Sequence, residues 1–250
     1  MPTIKLTLSY DGTDYAGWQF QPGQKTLQGT LQQTLEKITG EPIRVVGSGR
    51  TDAGVHAIGQ VVSVETASHL TPDVLQKALN AELPRDMIVT SAMEAAPDFH
   101  AIRNARRKRY RYSIDDGPLP DVFERRYVWH CRSRLDVPAM QRAAQALCGT
   151  HDFASFESHG SERQSSVRTI FEIDVCRGES RRANCVTVDV EADGFLYNMV
   201  RTIVGSLVEI GRAARREPWL VEVLNAADRR AAGRTAPPHG LCLIKVDYDE

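Results

Sequence analysis

The first part of the chain alternates between two hydrophobic periods, and the order of these segments constrains the fold more than any other feature of the sequence. Apolar residues occupy every second position of the opening segment, namely Ile4, Leu6, Leu8 and Tyr10. This pattern predicts a strand with one buried face. The next segment runs from Thr26 to Gly40, and one of its faces carries Leu27, Leu31, Leu35 and Ile38. An apolar stripe that ends at a glycine predicts an amphipathic helix.

The same alternation continues through the next fifty residues. Residues 43–47 and 58–65 are rich in β-branched side chains and predict two strands. Thr71-Pro72 predicts a helix start, because proline is favoured at the first helical position, and Pro84 ends that helix. A strand over 87–93 completes the order β-α-β-β-α-β, which is the ferredoxin-like pattern.

The second half repeats this order with additions. The sequence predicts strands over 110–114, 169–175 and 185–190, a short strand within 127–131, helices over 137–147, 195–211 and 217–227, and a last strand from Leu241. We therefore predict an α+β protein of two ferredoxin-like βαββαβ halves, residues 1–104 and 105–250. Their strands are expected to form an extended mixed or antiparallel sheet, with helices on one side and an active-site cleft on the other. The polar residues 157–166 predict a mobile loop.

Composition excludes several classes of protein. The formal net charge of −1 gives no global basic field, although a local patch is enough to bind nucleic acid. The five cysteines are scattered and form no CxxC pair, which predicts reduced thiols in a cytoplasmic protein rather than disulfides or a zinc site. No apolar run reaches membrane-spanning length, and the N-terminus is not typical of a signal peptide.

Residues 47–57, GSGRTDAGVHA, lie between two predicted strands and collect three kinds of functional side chain. Arg50, Asp52 and His56 fall within seven residues, among glycines that permit tight turns or close approach of another molecule. A carboxylate with a nearby arginine is a common functional pairing. The spacing alone favours an ordinary turn, because Asp and Gly are also frequent turn residues.

A run of cations lies at the predicted junction between the halves: Arg103, Arg106, Arg107, Lys108, Arg109 and Arg111. Tyr110 and Tyr112 alternate with them. Cations with interleaved aromatic residues suit RNA, because charges hold phosphates and a ring stacks on an unpaired base. The alternative is a solvated charged face beside a strand whose tyrosines belong to the core.

The segment from Phe195 to Val208 is apolar on nearly all sides, which predicts a buried helix. Arg201 lies in its middle. A buried arginine requires a carboxylate or several acceptors, and Asp52 is the best candidate partner in the sequence. Such a pair would lie between the two halves and keep Asp52 ionised at neutral pH. The alternative is a surface arginine on a half-exposed helix.

Several blocks of the chain resemble the tRNA pseudouridine synthase A family over nearly the whole length. They are YDG at 10–12 with GWQ at 17–19, GRTDAGVHA at 49–57, FHA at 99–101, YRY at 110–112, HDF at 151–153, FLY at 195–197 with MVR at 199–201, and GL at 240–241. GRTDAGVHA is highly specific, and MVR with the Tyr-X-Tyr strand strengthens the match. One departure follows FHA: the family usually has an arginine and then an apolar residue, whereas here Ile102 precedes Arg103.

The resemblance implies an isomerase that converts uridine to pseudouridine at positions 38, 39 and 40 of the tRNA anticodon stem-loop. Asp52 is similar to the family's catalytic aspartate, which attacks a flipped-out uridine at C1′ of the ribose or C6 of the uracil. The glycosidic bond breaks, the base rotates, and C5 bonds to C1′. The resemblance implies no cofactor, metal or nucleotide, and a cytoplasmic homodimer as the working form.

The resemblance also implies roles for further residues. Tyr110 stacks on the uracil and helps to move a proton, and Arg201 pairs with Asp52. Leu241 packs against the base or the aspartate, and Arg50 fills the space of the flipped nucleotide. His56 either binds the substrate or makes a structural hydrogen bond in the loop. We expect contacts to the RNA backbone from Arg106, Arg107, Lys108 and Arg109.

Two other functions are compatible with parts of the sequence. A non-catalytic RNA-binding protein could use the same basic cleft, but it would not require both Asp52 and Arg201. A hydrolase with Asp52 as nucleophile would leave the cationic run without a purpose. Trp18 is expected to buttress the Asp52 loop rather than to contact RNA. The His151-Asp152 pair is expected to begin a structural turn rather than to act in catalysis.

Overall fold

A computed structural model of the chain describes residues 2–158, 165–179 and 182–249. Most of the predicted loop 157–166 therefore lies outside the described residues. The chain divides into two compact units: residues 1–106 with 242–250, and residues 107–241. Each unit combines strands and helices, so the predicted α+β class is confirmed.

The first unit contains the predicted β-α-β-β-α-β order. Its elements are β1 (Thr3–Tyr10), α1 (Leu27–Thr39), β2 (Val45–Gly47), β3 (His56–Glu65), α2 (Pro72–Glu82) and β4 (Met87–Ala95). Strand β1 lies between β4 and β3, and β2 pairs with the other side of β3. All three pairings are antiparallel, and the order 4-1-3-2 is that of a ferredoxin-like sheet.

The helix ends of the first unit follow the sequence signals. The Thr26 side chain accepts a hydrogen bond from the Gly29 N–H at the start of α1, and Gly40 ends the helix with φ of 72°. Glycine adopts this left-handed conformation without the steric penalty of a side chain. Helix α2 begins at Pro72, as predicted. Its buried Leu75 and Leu79 join the leucines of α1 and the inward residues of β1 in one core.

The last strand of the chain, β10 (Leu241–Tyr248), belongs to the first unit from Cys242 onward. It pairs in parallel with the start of β3, where Cys242 lies opposite His56 and Leu243 opposite Ala57. Gly59 on β3 permits this close approach, because a Cβ there would lie 2.3 Å from the Ile244 carbonyl oxygen. Strand β10 thus pairs with the beginning of β3, and β2 pairs with its end.

The second unit, which begins within β5 (Ala105–Asp115), contains its own set of paired strands. Its strands are β5, β6 (Trp129–His130), β7 (Gly149–Asp152), β8 (Val167–Arg177) and β9 (Cys185–Ala192). Strands β5, β9, β8 and β7 pair antiparallel in that order, and β6 pairs in parallel with β5. The helices are α3 (Val137–Gln145), α4 (Met199–Gly211) and α5 (Trp219–Ala226). The sequence did not predict β7, which is short and polar.

Helix α4 is the centre of the second unit's core. Most of its residues are buried, as its apolar sequence predicted, but it begins at Met199 rather than near residue 195. Asn198 precedes it with a φ of 61°, so the chain turns sharply before the helix starts. A Cβ on Gly205 would lie 1.7 Å from the Arg234 carbonyl oxygen, so the segment before β10 can pack directly on this helix.

Three global features bear on function. All five cysteines are free. Among the described residues, no helix combines the length and apolar character needed to cross a bilayer. Within the same residues, no three side chains of His, Cys, Asp or Glu gather into a set that could hold a metal ion.

Candidate active site

The Asp52 loop, residues 48–55, connects the end of β2 to the start of β3 in the first unit. The Ser48 N–H donates to the Val61 carbonyl oxygen at 2.7 Å, which ties the beginning of the loop to β3. The Val55 N–H donates to the Asp52 carbonyl oxygen at 3.1 Å, and Gly54 within this turn has a φ of 78°. The turn leaves Asp52 half-buried and Arg50 exposed.

A buried network of neutral groups holds this loop from below. The Gln60 side chain is fully buried, and its Nε2 donates to the Gly49 carbonyl oxygen at 3.0 Å. Its Oε1 accepts from the Ser48 hydroxyl at 2.7 Å. The Tyr10 hydroxyl lies 2.9 Å from Thr51 Oγ1 and accepts from Gln60 Nε2 at 3.4 Å. Two consecutive loop residues, Ser48 and Gly49, and the Thr51 hydroxyl are thereby fixed close to Asp52.

Tyr10 remains neutral in this network. Burial raises the pKa of its hydroxyl far above the ordinary value, against the smaller lowering effect of its hydrogen bonds to Thr51 and Gln60. A neutral phenol can both donate and accept, which the two partners require. The network therefore keeps its hydrogen bonds throughout the neutral pH range.

Trp18 supports the loop from a second direction. Its backbone N–H donates to the Thr51 carbonyl oxygen at 2.9 Å, and its side chain is only 3% exposed. A Cβ on Gly47 would lie 2.6 Å from the indole ring, so only glycine lets the ring pack directly on the end of β2. The expectation that Trp18 buttresses the loop is confirmed.

His56 is also part of the framework around the loop. The residue is buried, and its Nδ1 lies 3.2 Å from the Gly12 backbone nitrogen and 3.1 Å from Asp11 Oδ1. Nδ1 accepts the Gly12 N–H when it carries no proton, and it donates to Asp11 when it carries one. A Cβ on Gly12 would lie 2.0 Å from the Val55 carbonyl oxygen, so the two segments are in close contact. Its role in substrate binding stays a prediction.

Arg50 differs from these buried residues. It is exposed, and among the residues that the structure describes it forms no ion pair and no side-chain hydrogen bond. Its guanidinium is therefore available to an external partner.

Tyr110 and Arg201 belong to the second unit. The Tyr110 ring is 8% exposed on β5 and meets the Phe195 ring edge-on, with centroids 5.1 Å apart. The half-buried Arg201 lies on α4, where its Nε donates to the Ala236 carbonyl oxygen at 2.8 Å and its Nη1 to Asn198 Oδ1 at 2.6 Å. A buried arginine in an apolar helix was expected to require hydrogen-bond acceptors, and Arg201 has such acceptors. Leu241 is buried at the start of β10.

The cationic run on β5 is extensively paired. Arg109 lies opposite Glu191 in the sheet register and binds both Glu191 and Glu172, and Arg111 lies opposite Asp189 and binds it at 3.0 Å. Arg107 reaches Glu191 at 3.2 Å. In the first unit, Arg106 binds Asp249 at 2.6 Å. The predicted contacts of Arg106, Arg107, Lys108 and Arg109 with RNA stay predictions. Carboxylates already bind Arg106, Arg107 and Arg109.

The His151-Asp152 pair has structural partners. His151 Nε2 lies 2.9 Å from the Cys148 carbonyl oxygen, and Asp152 Oδ1 accepts from the Ala154 N–H and the Ser166 hydroxyl. The expected turn is confirmed.

Sequence reasoning missed Gln60. The signal is a single long polar residue in the otherwise apolar or small stretch Ala57–Val64.

The sequence of the chain is similar to those of known proteins. A family model described as tRNA pseudouridine synthase matches residues 7–102 and 143–249. Relatives named tRNA pseudouridine synthase A include a Moorella thermoacetica protein that is 49% identical over 250 residues, covering 99% of this chain and 100% of the relative. A Brevibacillus brevis protein is 46% identical over 248 residues, with 99% and 100% covered. A protein of Geobacillus sp. strain WCH70 is 47% identical over 247 residues, with 98% of each covered.

Among solved structures, a Cbf5-Nop10-Gar1 complex has a TM-score of 0.36 and 12% identity, over 96% of this chain and 57% of that chain. A likeness this distant supports no statement about the chain.

Proposed function

Because this chain belongs to the tRNA pseudouridine synthase family, we propose that it acts on the anticodon stem-loop and modifies uridines 38, 39 and 40. Membership makes it an isomerase that converts uridine to pseudouridine in tRNA. A non-catalytic RNA-binding role is not favoured. The observation that carries the proposal is the half-buried Asp52 on a loop that buried hydrogen bonds hold in place.

We assign Asp52 the role of nucleophile. A carboxylate oxygen bonds to C1′ of the ribose or to C6 of the uracil, and the bond between N1 and C1′ breaks. The uracil turns, C5 bonds to C1′, and the carboxylate leaves. C5 loses its proton and N1 gains one, so every atom is conserved and the chemistry requires no cofactor. A loop fixed in advance keeps the carboxylate in attacking geometry at little entropic cost.

Two residues of the second unit complete the proposed chemistry. Tyr110 stacks on the uracil, and its hydroxyl assists proton transfer; its edge-on contact with Phe195 fixes the ring plane. Arg201 keeps the catalytic carboxylate ionised, and the Ala236 carbonyl oxygen and Asn198 Oδ1 hold the guanidinium in one orientation. Leu241 gives the base an apolar contact. Side chains held in place by their neighbours suit such roles, because a displacement of about 1 Å from the reacting geometry is enough to lower the catalytic rate.

Further roles follow from exposure and from the family resemblance. Arg50 enters the stem in place of the flipped uridine, which its exposed guanidinium supports. His56 contributes to binding by holding the loop against Gly12. As the family resemblance implies, the protein works as a homodimer in the cytoplasm, with tRNA as its partner.

The decisive experiment is to incubate the purified protein with unmodified tRNA transcripts and to map pseudouridine by site. We expect product at positions 38, 39 and 40 where these are uridines. Asp52→Asn should lower turnover by roughly a thousandfold or more, because it keeps the shape of the side chain and removes the nucleophile. Its tRNA affinity should stay within about threefold of the unchanged protein.

Asp73→Asn is the matched control, because Asp73 is an exposed carboxylate on α2, outside the loop. It should retain full activity. Normal turnover by Asp52→Asn would reject the nucleophile assignment. Product found only outside the anticodon stem-loop would reject the proposed substrate region.

A further inference from the structure

The first unit contains a pocket of about 410 Å³ that the proposed chemistry does not use. Its walls come from the paired strand residues Val46 and Ser63 and from the segment that follows β4, which includes Phe99, His100 and Arg103. Hydrogen bonds hold this segment on the sheet. The Ala101 N–H donates to the Ser63 hydroxyl at 3.2 Å, and the Ala101 carbonyl oxygen accepts from the Tyr248 hydroxyl at 2.8 Å.

Two available guanidinium groups line this pocket. Arg44 and Arg103 are both exposed, and within the described ranges neither forms an ion pair or a side-chain hydrogen bond. They differ in this respect from Arg107, Arg109 and Arg111 on β5, which bind carboxylates. An unpaired guanidinium presents its N–H groups in the planar arrangement that matches phosphate oxygens.

His100 adds a third donor. Its Nδ1 accepts hydrogen bonds from the backbone N–H groups of Ile102 at 3.2 Å and Arg103 at 3.4 Å. In the neutral ring the proton must then be on Nε2, which is left to donate elsewhere. The turn that fixes this ring is itself closed, because the Asn104 N–H donates to the His100 carbonyl oxygen at 3.1 Å.

Two carboxylates, Glu65 and Asp98, also line the pocket, and neither lies within ion-pair distance of the two arginines. They do not neutralise the guanidinium groups directly, and they supply acceptors for hydroxyl groups. Donors for a phosphate beside acceptors for a hydroxyl fit the RNA backbone, where each phosphate adjoins a ribose with a 2′-hydroxyl.

The pocket is connected to the Asp52 loop through β2. Val46 lines the pocket, and Ser48, two residues further on, begins the loop. An RNA strand bound at the loop can therefore reach the pocket within a few nucleotides. We propose that Arg44, Arg103 and His100 hold backbone phosphates of the bound tRNA in this pocket, with a separate phosphate at each arginine. The inference rests on the proposed function, because it takes tRNA as the ligand.

Binding of an unmodified tRNA transcript over a series of salt concentrations tests the inference. Arg44→Gln and Arg103→Gln should each reduce the slope of log K against log salt by about 0.7 to 0.9, the effect of one lost phosphate contact. At 0.1 M salt this corresponds to about fivefold to eightfold weaker binding.

Lys77→Gln is the matched control, because Lys77 is an exposed cation of the same unit on α2. Its slope should equal that of the unchanged protein. If Arg44→Gln and Arg103→Gln behave like Lys77→Gln, the pocket does not hold a phosphate. Turnover by the unchanged protein tests the proposed function separately. If the protein binds the transcript without modifying it, the proposed function is rejected. The salt slopes would still show whether the pocket holds a phosphate.

Discussion

The Asp52 loop keeps its shape through neutral buried groups, whereas the arginine-rich strand β5 keeps its charges in ion pairs near the surface. Beneath the loop, Gln60 and Tyr10 are almost fully buried and their hydrogen bonds end on loop atoms. On β5, the side chains of Arg107 and Arg111 remain about half exposed and bind carboxylates of β9. Both stretches carry candidate functional charges, but neutral buried groups hold the loop, whereas ion pairs hold the arginines of β5.

These two kinds of interaction differ in how much stability the protein loses when one side chain is removed. A buried polar atom that loses its partner costs about 1–3 kcal/mol, because water cannot replace that partner. An exposed ion pair contributes about 0–1 kcal/mol, since water and salt screen it. We therefore expect the neutral network to control the geometry of Asp52, and the paired arginines of β5 to have small effects.

Gln60→Leu should have the largest effect. The change removes the partners of the Ser48 hydroxyl and the Gly49 carbonyl oxygen and should lower the free energy of unfolding by about 2–4 kcal/mol. A loop displaced by about 1 Å should also lower kcat at saturating tRNA by roughly a hundredfold. Denaturant unfolding and single-turnover kinetics, measured well below the melting temperature, would separate the two effects.

Gln76→Leu is its matched control. Gln76 Nε2 donates to the Val89 carbonyl oxygen, which also accepts from Asn80, so that oxygen stays satisfied after the change. Its kcat should remain within about twofold of the unchanged protein. If the loss of kcat in Gln60→Leu only followed the fraction of unfolded protein, the network would not position Asp52.

Tyr10→Phe should have the next largest effect, because it removes only the hydroxyl that meets Thr51 and Gln60. We expect a loss of about 1–2 kcal/mol in stability and roughly a fivefold to tenfold loss in kcat. Burial raises the pKa of this hydroxyl in the folded protein, whereas in the unfolded chain it ionises near pH 10. The difference in stability between the two proteins should thus stay constant below about pH 10 and shrink above it.

Tyr15→Phe provides the comparison that separates stability from positioning. Tyr15 is also a buried phenol of the first unit, and its hydroxyl donates to Asp86 Oδ1 at 2.5 Å. Because that partner is a carboxylate, the loss of stability should equal or exceed that of Tyr10→Phe. Its kcat should nevertheless change less than twofold. Equal losses of kcat in the two variants would contradict a specific role for Tyr10.

Elements that depend on local periodicity were predictable from the sequence. Helix α1 has a threonine cap, a leucine stripe and a terminal glycine, and the structure begins and ends it there. Strand β7 was missed because its pairing with β8 depends on contacts between separate segments rather than on its own pattern. The start of α4 was placed too early, because the apolar stretch continues through the turn at Asn198.

The site was predictable where a motif is specific and less so where partners come from elsewhere in the chain. The GRTDAGVHA motif identified the Asp52 loop, but Gln60 supports it through a strand register that the sequence does not display. The β5 arginines predicted contacts with RNA, and these contacts stay a prediction. Only the register with β9 shows that Glu191 and Asp189 lie opposite Arg109 and Arg111.

Arg111→Gln should have the smallest effect and tests the other side of the comparison. Asp189 already binds this guanidinium, whose side chain is 49% exposed, so the loss of stability should stay below about 1 kcal/mol. Transcript affinity should fall less than about threefold, against about fivefold to eightfold for Arg103→Gln, because no phosphate contact is lost. Denaturant unfolding and a salt series measure the two quantities. Arg111→Gln could instead lower the salt slope as much as Arg103→Gln does. That result would mean that Arg111 leaves Asp189 to bind RNA. An ion pair in the free protein would then not exclude a phosphate contact.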